Sequence, residues 1–270
     1  MSLTAVDVSG WGYFRFLGRD ARKFLQGLVT ADVALLSADA ALPCCVLTPK
    51  GGLVADCELY GETPESVLAV TRPAAAAGFA RAFERKIALS ESVFKRLTPQ
   101  AWLVIGDDSG PGLSWPRLGQ PARLLLGADP PAEARLMTPV ELDFLRVAAG
   151  LPWYGADLDE SVLPLEARLD DAVSLDKGCY MGQETVSRLA RVGHVNRLLA
   201  GLTFPSGAPP AGAALARDGR ETGRVTSVAG ALGLGFVRVA DAAPGTALSA
   251  GGLPVLVRAV PSWPAPLGVR

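Results

Sequence analysis

The sequence predicts a chain of two or three subdomains, with helices and strands mixed at first and a small antiparallel barrel or sandwich at the end. Of its 270 residues, 49% are hydrophobic and 20% charged, so it can bury a large core and exceeds the usual single-domain size. Residues 197–262 carry many short strands with turn signals, including Asp218-Gly219, a pair that favours a hairpin. We therefore divide the chain into residues 1–196 and residues 197–270, and we exclude the intrinsically disordered class.

The first hundred residues predict strands and helices in alternation. Residues 11–17 (WGYFRFL) predict a strand, and a helix follows from Arg19 with apolar residues at helical spacing. Residues 66–71 (SVLAVT) predict another strand, and Pro73 can begin a helix whose apolar residues recur every four positions. Residues 101–105 (AWLVI) predict a buried strand. This part of the chain therefore mixes both element types.

A hairpin is predicted over residues 43–60, because residues 48–52 have the composition of a turn. In its second strand, period two places Asp56 and Glu58 on one face and Cys57 on the opposite, apolar face. Two carboxylates on one face could bind a basic heterocycle or act as general acid and base. A solvated strand face would give the same alternation, so the pattern leaves both interpretations open.

The middle of the chain predicts a connection, a helix and a loop. Residues 106–134 are rich in Gly, Pro and Asp and hold one short LLL run, so we expect a variable connection. A helix is predicted from Pro139 to near Gly150, a typical C-cap residue. Residues 151–176 predict loops and turns, and residues 177–184 (KGCYMGQE) open the next helix.

Histidine and cysteine are scarce, which limits the available metal and catalytic chemistry. The single histidine, His194, excludes zinc sites rich in histidine and would have to serve in any Ser-His-Asp triad. Four cysteines in 270 residues make a disulfide scaffold implausible. We predict no metal site. The cysteines are Cys44, Cys45, Cys57 and Cys179.

Cys179 is the strongest candidate for a reactive group. It lies between Gly178 and Tyr180, ahead of a predicted helix start, where backbone N–H groups and the helix dipole stabilise a thiolate. Lys177 and Arg188 add positive charge nearby. This position favours a reactive thiol, a redox switch or a metal or cluster ligand. A small buried residue in a turn would give the same pattern, so spacing alone does not decide.

Charge and hydropathy give expectations about partners and compartment. The net charge of −1 creates no global field that would attract nucleic acid, so we expect no nucleic-acid partner. Arg188, Arg191 and Arg197 could form a local patch for an anionic tail or RNA, although such a run is typical of a solvated helix face. Residues 1–9 lack the features of a secretory signal, and no run of 18 apolar residues occurs. We expect a cytoplasmic protein without a membrane partner.

The segment KGCYMGQETVSR, residues 177–188, resembles the signature of the YgfZ-type folate-binding proteins, relatives of the T-protein (aminomethyltransferase) of the glycine cleavage system. Residues 16–36, 47–60 and 144–173 are similar to other parts of that superfamily, as is the tail, so the resemblance covers nearly the whole chain. It implies an α+β fold of three subdomains in a ring around a central hole that holds tetrahydrofolate or a derivative. Two interleaved α+β subdomains would lie in residues 1–196, followed by a C-terminal antiparallel β-barrel.

The same resemblance implies a function and a set of site residues. YgfZ-type proteins are associated with assembly or repair of iron–sulfur clusters in certain enzymes, including a tRNA-thiolating one, so iron–sulfur enzymes are the implied partners. The signature cysteine, here Cys179, is the residue on which that role is thought to depend, and we assign it the catalytic role. The folate-binding residues that we expect are Asp56, Lys177, Tyr180, Gln183, Glu184 and Arg188.

Two departures from the T-protein pattern leave open whether the chain is an enzyme. T-proteins place a glutamate where this chain has Ala148, and two adjacent acids where it has Ala55 and Asp56. A buried pterin donor without its acceptor would cost about 1–3 kcal/mol, which weakens the case for aminomethyl transfer. One alternative is a folate-dependent one-carbon transferase or demethylase with Asp56 as general base. The other is a binding module without chemistry, whose arginine patch meets RNA or a protein.

Overall fold

The computed structural model describes residues 3–107 and 109–260, whose strands form two five-stranded sheets and one closed barrel. The four α-helices in these residues are α1 (Ala21–Gln26), α2 (Ala76–Glu84), α3 (Pro139–Ala149) and α4 (Gln183–Arg191). The strands, in chain order, are β1 (Thr4–Asp7), β2 (Gly12–Leu17), β3 (Leu42–Leu47), β4 (Leu53–Thr63), β5 (Ser66–Thr71), β6 (Val93–Leu97), β7 (Ala101–Ile105), β8 (Leu113–Ser114), β9 (Ala122–Leu126), β10 (Arg135–Leu136), β11 (Arg197–Thr203), β12 (Ala214–Arg217), β13 (Arg220–Ala229), β14 (Leu232–Arg238), β15 (Ala247–Ala250) and β16 (Leu253–Arg258).

The first sheet has the order β3-β4-β5-β2-β6 and is antiparallel throughout. Helices α1 and α2 cover one of its faces, where a phenylalanine cluster forms the core. Phe14 and Phe79 stack with ring centroids 4.8 Å apart, and Phe16 and Phe83 meet edge-on at 4.9 Å. Cys57 lies in this core, as its place on the apolar face of the hairpin predicts.

The second sheet has the order β10-β1-β7-β9-β8 and packs against the free face of the first sheet. Tyr13 and Tyr60 of the first sheet share this core with Leu103 and Leu124 of the second. The prediction of a variable connection over residues 106–134 is wrong, because β8 and β9 lie within it. The LLL run belongs to β9, which is buried by pairing with β7, and the glycines and prolines around it form its turns.

Helix α3 has the boundaries that the sequence predicts. Thr138 and Glu141 form a capping box in which each side chain satisfies a backbone N–H, and Pro139 occupies the first turn. Gly150 follows the helix with φ 74°, a left-handed conformation that favours glycine. The helix packs against β13 and β14, which places it between the sheets and the barrel.

The barrel closes in the order β11-β14-β13-β12-β15-β16. Asp218 and Gly219 connect β12 to β13 with φ values of 52° and 77°, so this pair forms the predicted tight hairpin. The predicted fold class, α+β with three subdomains and a C-terminal antiparallel barrel, is confirmed. The division at residue 196 stays a prediction, and residues 261–270 of its second part lie outside the described residues.

None of the helices in residues 3–107 and 109–260 has the length and apolar content needed to cross a membrane.

Candidate functional site

The signature segment, residues 177–184, lies against the β3–β4 turn. Gly182 in this segment has φ 81° and directly precedes α4, which begins within the segment at Gln183. A Cβ atom on Gly182 would lie 2.7 Å from the Thr48 carbonyl oxygen, so only glycine permits this approach. Gly51 of the turn lies equally close to Thr185 of α4, since a Cβ there would be 2.9 Å from the Thr185 Cβ. Glycines on both sides therefore bring the signature segment onto the hairpin.

Lys177 anchors the start of the signature segment. Its side chain is buried, and Nζ donates to the carbonyl oxygens of Val29 at 2.8 Å and Ala31 at 2.6 Å. Nζ also lies 5.0 Å from the centre of the Tyr180 ring. Burial lowers the pKa of Lys177 from 10.5 to about 8. The predicted site residue Lys177 thus points into the protein and holds the segment to the chain that follows α1.

Cys179 is the one exposed cysteine of the four, all of which lie in the described residues. Cys44, Cys45 and Cys57 are buried, and burial raises the pKa of each of these thiols. The Sγ atoms of Cys44 and Cys57 lie 3.0 Å apart across neighbouring strands. Thiolate chemistry at the protein surface is therefore open to Cys179 and closed to the other three.

The remaining predicted residues of the signature segment differ in exposure. Tyr180 is buried, and its N–H donates to Gln183 Oε1 at 3.4 Å. Burial raises the pKa of Tyr180 to about 12, and its hydroxyl has no hydrogen-bond partner within the described ranges. Glu184 and Arg188 are exposed on α4. Thus Lys177 and Tyr180 form the inside of the loop, whereas Glu184 and Arg188 face solvent beside the exposed thiol.

A second cluster of charged residues lies on the face of β4 that packs against the second sheet. Asp56 and Glu58 are only 8% and 2% exposed, so the interpretation of this face as solvated is wrong. Arg72 Nη2 donates to both carboxylate oxygens of Glu58, at 2.7 and 2.8 Å, and Arg72 Nε lies 3.7 Å from Asp56 Oδ2. Arg117 Nε lies 3.6 Å from Glu58 Oε1, and Arg117 also pairs with Asp171. Buried Arg72 and partly buried Arg117 thus neutralise the carboxylate pair.

Three tryptophans surround the Arg72 guanidinium. Its central carbon lies 4.1 Å from the ring centre of Trp11, 5.1 Å from that of Trp115 and 5.5 Å from that of Trp153. The guanidinium carbon of Arg146 also lies near Trp153, 5.0 Å from its ring centre. Cation–π attraction of this kind strengthens as the site loses water, and Arg72 is 1% exposed.

Asp56 is the predicted site residue at the edge of this cluster. Burial raises the pKa of Asp56, the Arg72 charge opposes that rise, and the Glu58 charge adds to it. Asp56 Oδ1 accepts a hydrogen bond from the Tyr154 N–H at 3.3 Å. Cys45 lies directly opposite Asp56 on β3 and packs in the same core cluster as Tyr180. Directly opposed residues of antiparallel strands share a face of the sheet, so Asp56 and Cys45 lie on the face that shares a core cluster with Tyr180 of the signature segment.

A cleft of about 1260 Å³ opens between residues 154–166 and strands β13 and β14 of the barrel. Its wall includes Tyr154, the residue that binds Asp56. Beneath it, buried Arg146 donates to Asp157 Oδ2 at 2.7 Å and to Ser227 Oγ at 2.8 Å. The cleft therefore extends from the vicinity of Asp56 to the barrel surface.

The sequence pattern does not indicate most of the cationic and aromatic half of this cluster. The alternation of β4 indicates that Asp56 and Glu58 share a face, and burial of that face would require cations. No local pattern indicates that Arg72, Arg117 or the tryptophans supply the partners, because they come from distant parts of the chain.

Within the predicted arginine patch, Arg197 forms an ion pair with Glu166 at 3.1 Å. Within the described residues, no group of three His, Cys, Asp or Glu side chains could hold a metal ion.

Comparison with known proteins shows which proteins this chain is similar to. Residues 188–265 match the family described as CAF17, C-terminal beta-barrel domain. The glycine cleavage system aminomethyltransferase T from Bartonella henselae has the same fold, with a TM-score of 0.85 at 18% identity over 96% of this chain and 86% of that structure. An aminomethyltransferase from Desulfitobacterium hafniense is 29% identical over 82% of this chain and 73% of its own length.

The tRNA-modifying protein YgfZ from Serratia proteamaculans is 28% identical over 85% of this chain and 81% of its own length. Over most of its length this chain is therefore similar both to aminomethyltransferases and to a YgfZ protein. Another similarity is partial: a chloroplastic protein of Arabidopsis thaliana, named as a transferase, is 33% identical over 43% of this chain, which spans only 28% of that protein. The exposed Cys179 belongs to the segment that lies against the β3–β4 turn, and the buried Asp56 lies on β4.

Proposed function

We propose that this protein is a tetrahydrofolate-binding accessory factor that supports assembly or repair of iron–sulfur clusters in client enzymes, including one that modifies tRNA. The observation that carries the proposal is the placement of Cys179. It is the one exposed cysteine, in a segment that buried Lys177 holds to the chain after α1 and that Gly182 brings close to the hairpin. The clients would be cytoplasmic iron–sulfur enzymes, bound through the surface around this thiol.

Cys179 would act as a thiolate in this function. It either holds a cluster or iron transiently as the cargo passes to a client, or it attacks as a redox-active nucleophile. Exposed Glu184 and Arg188 lie on the first two turns of the adjacent helix and would contact the client or the charged end of the folate. Both roles require an accessible sulfur, which the three buried cysteines lack.

The folate would bind beside Asp56. The side chains here are of types that suit a pterin ring, because a buried carboxylate accepts ring N–H groups and indole faces stack on a planar heterocycle. The indole N–H groups of Trp115 and Trp153 have no partners among the described residues and could donate to acceptors of the ring. Tetrahydrofolate, when bound, carries one-carbon units on its nitrogen atoms. Asp56 would orient the ring, and Tyr154 would hold Asp56 through its N–H.

The thiol role is tested by replacing Cys179 with Ala and with Ser in the source organism and assaying several iron–sulfur enzymes. Both replacements should lower those activities while the abundance of the proteins stays constant. Val192→Ala, an exposed position just after α4, is the matched control and should have no effect. Full iron–sulfur activity in the Cys179→Ala strain would refute the role.

The folate role is tested by titrating the purified protein with tetrahydrofolate by calorimetry. Asp56→Asn should weaken binding at least about tenfold, the loss expected for one charge-assisted hydrogen bond. Glu62→Gln, a carboxylate at the far end of β4, should leave binding unchanged. If wild type and Asp56→Asn bind tetrahydrofolate equally, the ligand does not use this site.

One-carbon transfer is a second candidate function. The observation in its favour is the raised pKa of buried Asp56, because a carboxylate with a higher pKa is a stronger general base. Turnover of methylamine-type donors that depends on tetrahydrofolate and is lost in Asp56→Asn would support it. Absence of turnover with every donor counts against it and leaves the accessory role.

A further inference from the structure

The cluster around Arg72 has the composition of a ligand-binding site. Its walls are the indoles of Trp11, Trp115 and Trp153, and one end carries the carboxylates of Asp56 and Glu58. We call these five residues the indole–carboxylate box. Aromatic faces combined with paired carboxylates recognise planar groups that carry several N–H donors. In this structure the group inside the box belongs to the chain itself.

Arg72 makes only some of the hydrogen bonds that its guanidinium could donate inside the box. One nitrogen, Nη2, makes both short contacts with Glu58, while Nε and Nη1 have no hydrogen-bond partner within the described residues. The nearest Asp56 oxygen is 3.7 Å from Nε, beyond hydrogen-bond distance. A fully satisfied arginine would engage a carboxylate through two parallel N–H groups. Asp56 Oδ2 therefore accepts no hydrogen bond from Arg72 and is available to a better-placed donor.

We propose that the indole–carboxylate box is a binding site for planar amidine-type groups, and that Arg72 is its internal occupant in the unliganded protein. An amidine-type group here is a carbon atom bonded to two or three N–H-bearing nitrogens, as in guanidines and 2-aminopyrimidine rings. Arg72 then determines specificity, since a ligand enters only if it offers Asp56 and Glu58 more than Arg72 does. For a pterin, whose 2-aminopyrimidine edge is such a group, this inference rests on the proposed function.

The position of Arg72 in the chain permits its displacement. It follows directly after β5 and precedes the short turn that begins at Pro73, so its backbone is fixed while its side chain is long and unbranched. Trp153 lies in the loop after α3, between Arg72 and Arg146. Loss of Arg72 from the box would leave two buried carboxylates without their main counter-charge, so an incoming group must itself carry positive charge or several N–H donors.

The test removes the Arg72 side chain and supplies free guanidinium in its place. Full-length Arg72→Ala protein is titrated with guanidinium chloride at low millimolar concentration, and potassium chloride at equal ionic strength is the parallel titration. Guanidinium should raise the Tm of Arg72→Ala saturably and change its tryptophan fluorescence, because ligand binding to the folded state stabilises it. Wild type, with the box occupied, should show neither change. Equal responses to guanidinium and potassium would overturn the proposal.

Arg15→Ala is the matched control. Arg15 also makes two short contacts with one glutamate, Glu62, but it does so outside the box and is about one-third exposed. Guanidinium should have no saturable effect on Arg15→Ala, and an equal effect would overturn the proposal. If Arg72→Ala does not fold unaided, refolding yield is the readout, with Arg72→Gln beside it. Guanidinium should then raise the yield of both variants above that in potassium chloride, and no difference overturns the proposal.

Tetrahydrofolate titration separates this inference from the proposed function. If Arg72 competes with the pterin edge, Arg72→Ala should bind tetrahydrofolate several-fold more tightly than wild type. Guanidinium rescue without any folate binding to either protein supports the box and refutes the folate role. Folate binding by wild type together with failure of guanidinium to rescue Arg72→Ala supports the folate role and overturns the box.

Discussion

The four cysteines differ in environment more than in sequence context. Cys44, Cys45 and Cys57 lie in packed strands, whereas Cys179 lies in a turn between an exposed glycine and buried Tyr180. Burial disfavours the thiolate, which is the nucleophilic form of cysteine. The surrounding structure therefore determines which sulfur can react.

The first prediction concerns thiol reactivity. One thiol per chain should react quickly with an aromatic disulfide reagent in the native protein, and four should react in denaturant. Cys179→Ala should abolish the fast reaction and leave the three slow ones. A second fast thiol in that variant would show that one of the buried strands opens readily.

Lys177 gives the second prediction, through its lowered pKa. A cation whose pKa falls on folding destabilises the folded state below the folded pKa, and this penalty disappears as the pH rises from about 8 to 10.5. The free energy of unfolding of wild type should therefore rise across that window relative to Lys177→Met. Denaturant titrations at several pH values measure the difference. The same comparison with Lys50→Met, an exposed lysine, should show no such trend.

At the scale of elements, helix α3 shows how local sequence defines an element. Thr138 and Glu141 cap its start, and Gly150 ends it in the left-handed conformation. Its boundaries can be predicted because these interactions join residues only three to five positions apart. Strand β9 depends instead on pairing with β7, twenty residues earlier, and no local pattern indicates that partner.

The third prediction concerns the α3 cap. Thr138→Ala should lower the free energy of unfolding by about 1 kcal/mol, since it removes the side-chain acceptor for the Glu141 N–H. Thr138→Ser keeps that acceptor and should cost much less. Equal losses in the two variants, measured by urea unfolding, would mean that the methyl group rather than the cap matters.

At the scale of the whole molecule, buried polar contacts connect the subdomains. Arg146 of α3 binds Asp157 of the following loop and Ser227 of the barrel, and all three are buried. Arg117, which lies between β8 and β9, similarly joins Glu58 of β4 to the second sheet and to Asp171. Such contacts fix the relative placement of the subdomains, because each leaves an unpaired charge when broken.

The fourth prediction concerns this connection. Asp157→Ala should lower the free energy of unfolding by about 3–5 kcal/mol, because Arg146 would lose its buried carboxylate partner and keep only the more exposed Asp143. Arg135→Ala breaks an exposed pair with Glu141 and should cost less than about 1 kcal/mol. A small loss in Asp157→Ala would indicate that water replaces the carboxylate.

The sequence by itself determined the fold class, the hairpin faces, the helix α3 and the signature thiol segment. The hairpin faces and helix α3 depend on periodicity, turn residues and caps, which act over a few positions along the chain. The three-subdomain fold and the signature segment came from the resemblance of the sequence to a known family. Only the tertiary structure decided that Asp56 and Glu58 are buried, that Arg72 lies among three tryptophans, and that Lys177 points inward. These facts depend on residues that are distant in sequence and close in the fold. Trp11 and Trp153 both lie against Arg72, and Val29 accepts a hydrogen bond from Lys177. Burial and charge pairing are properties of packed surfaces, and packing is set by the whole chain at once.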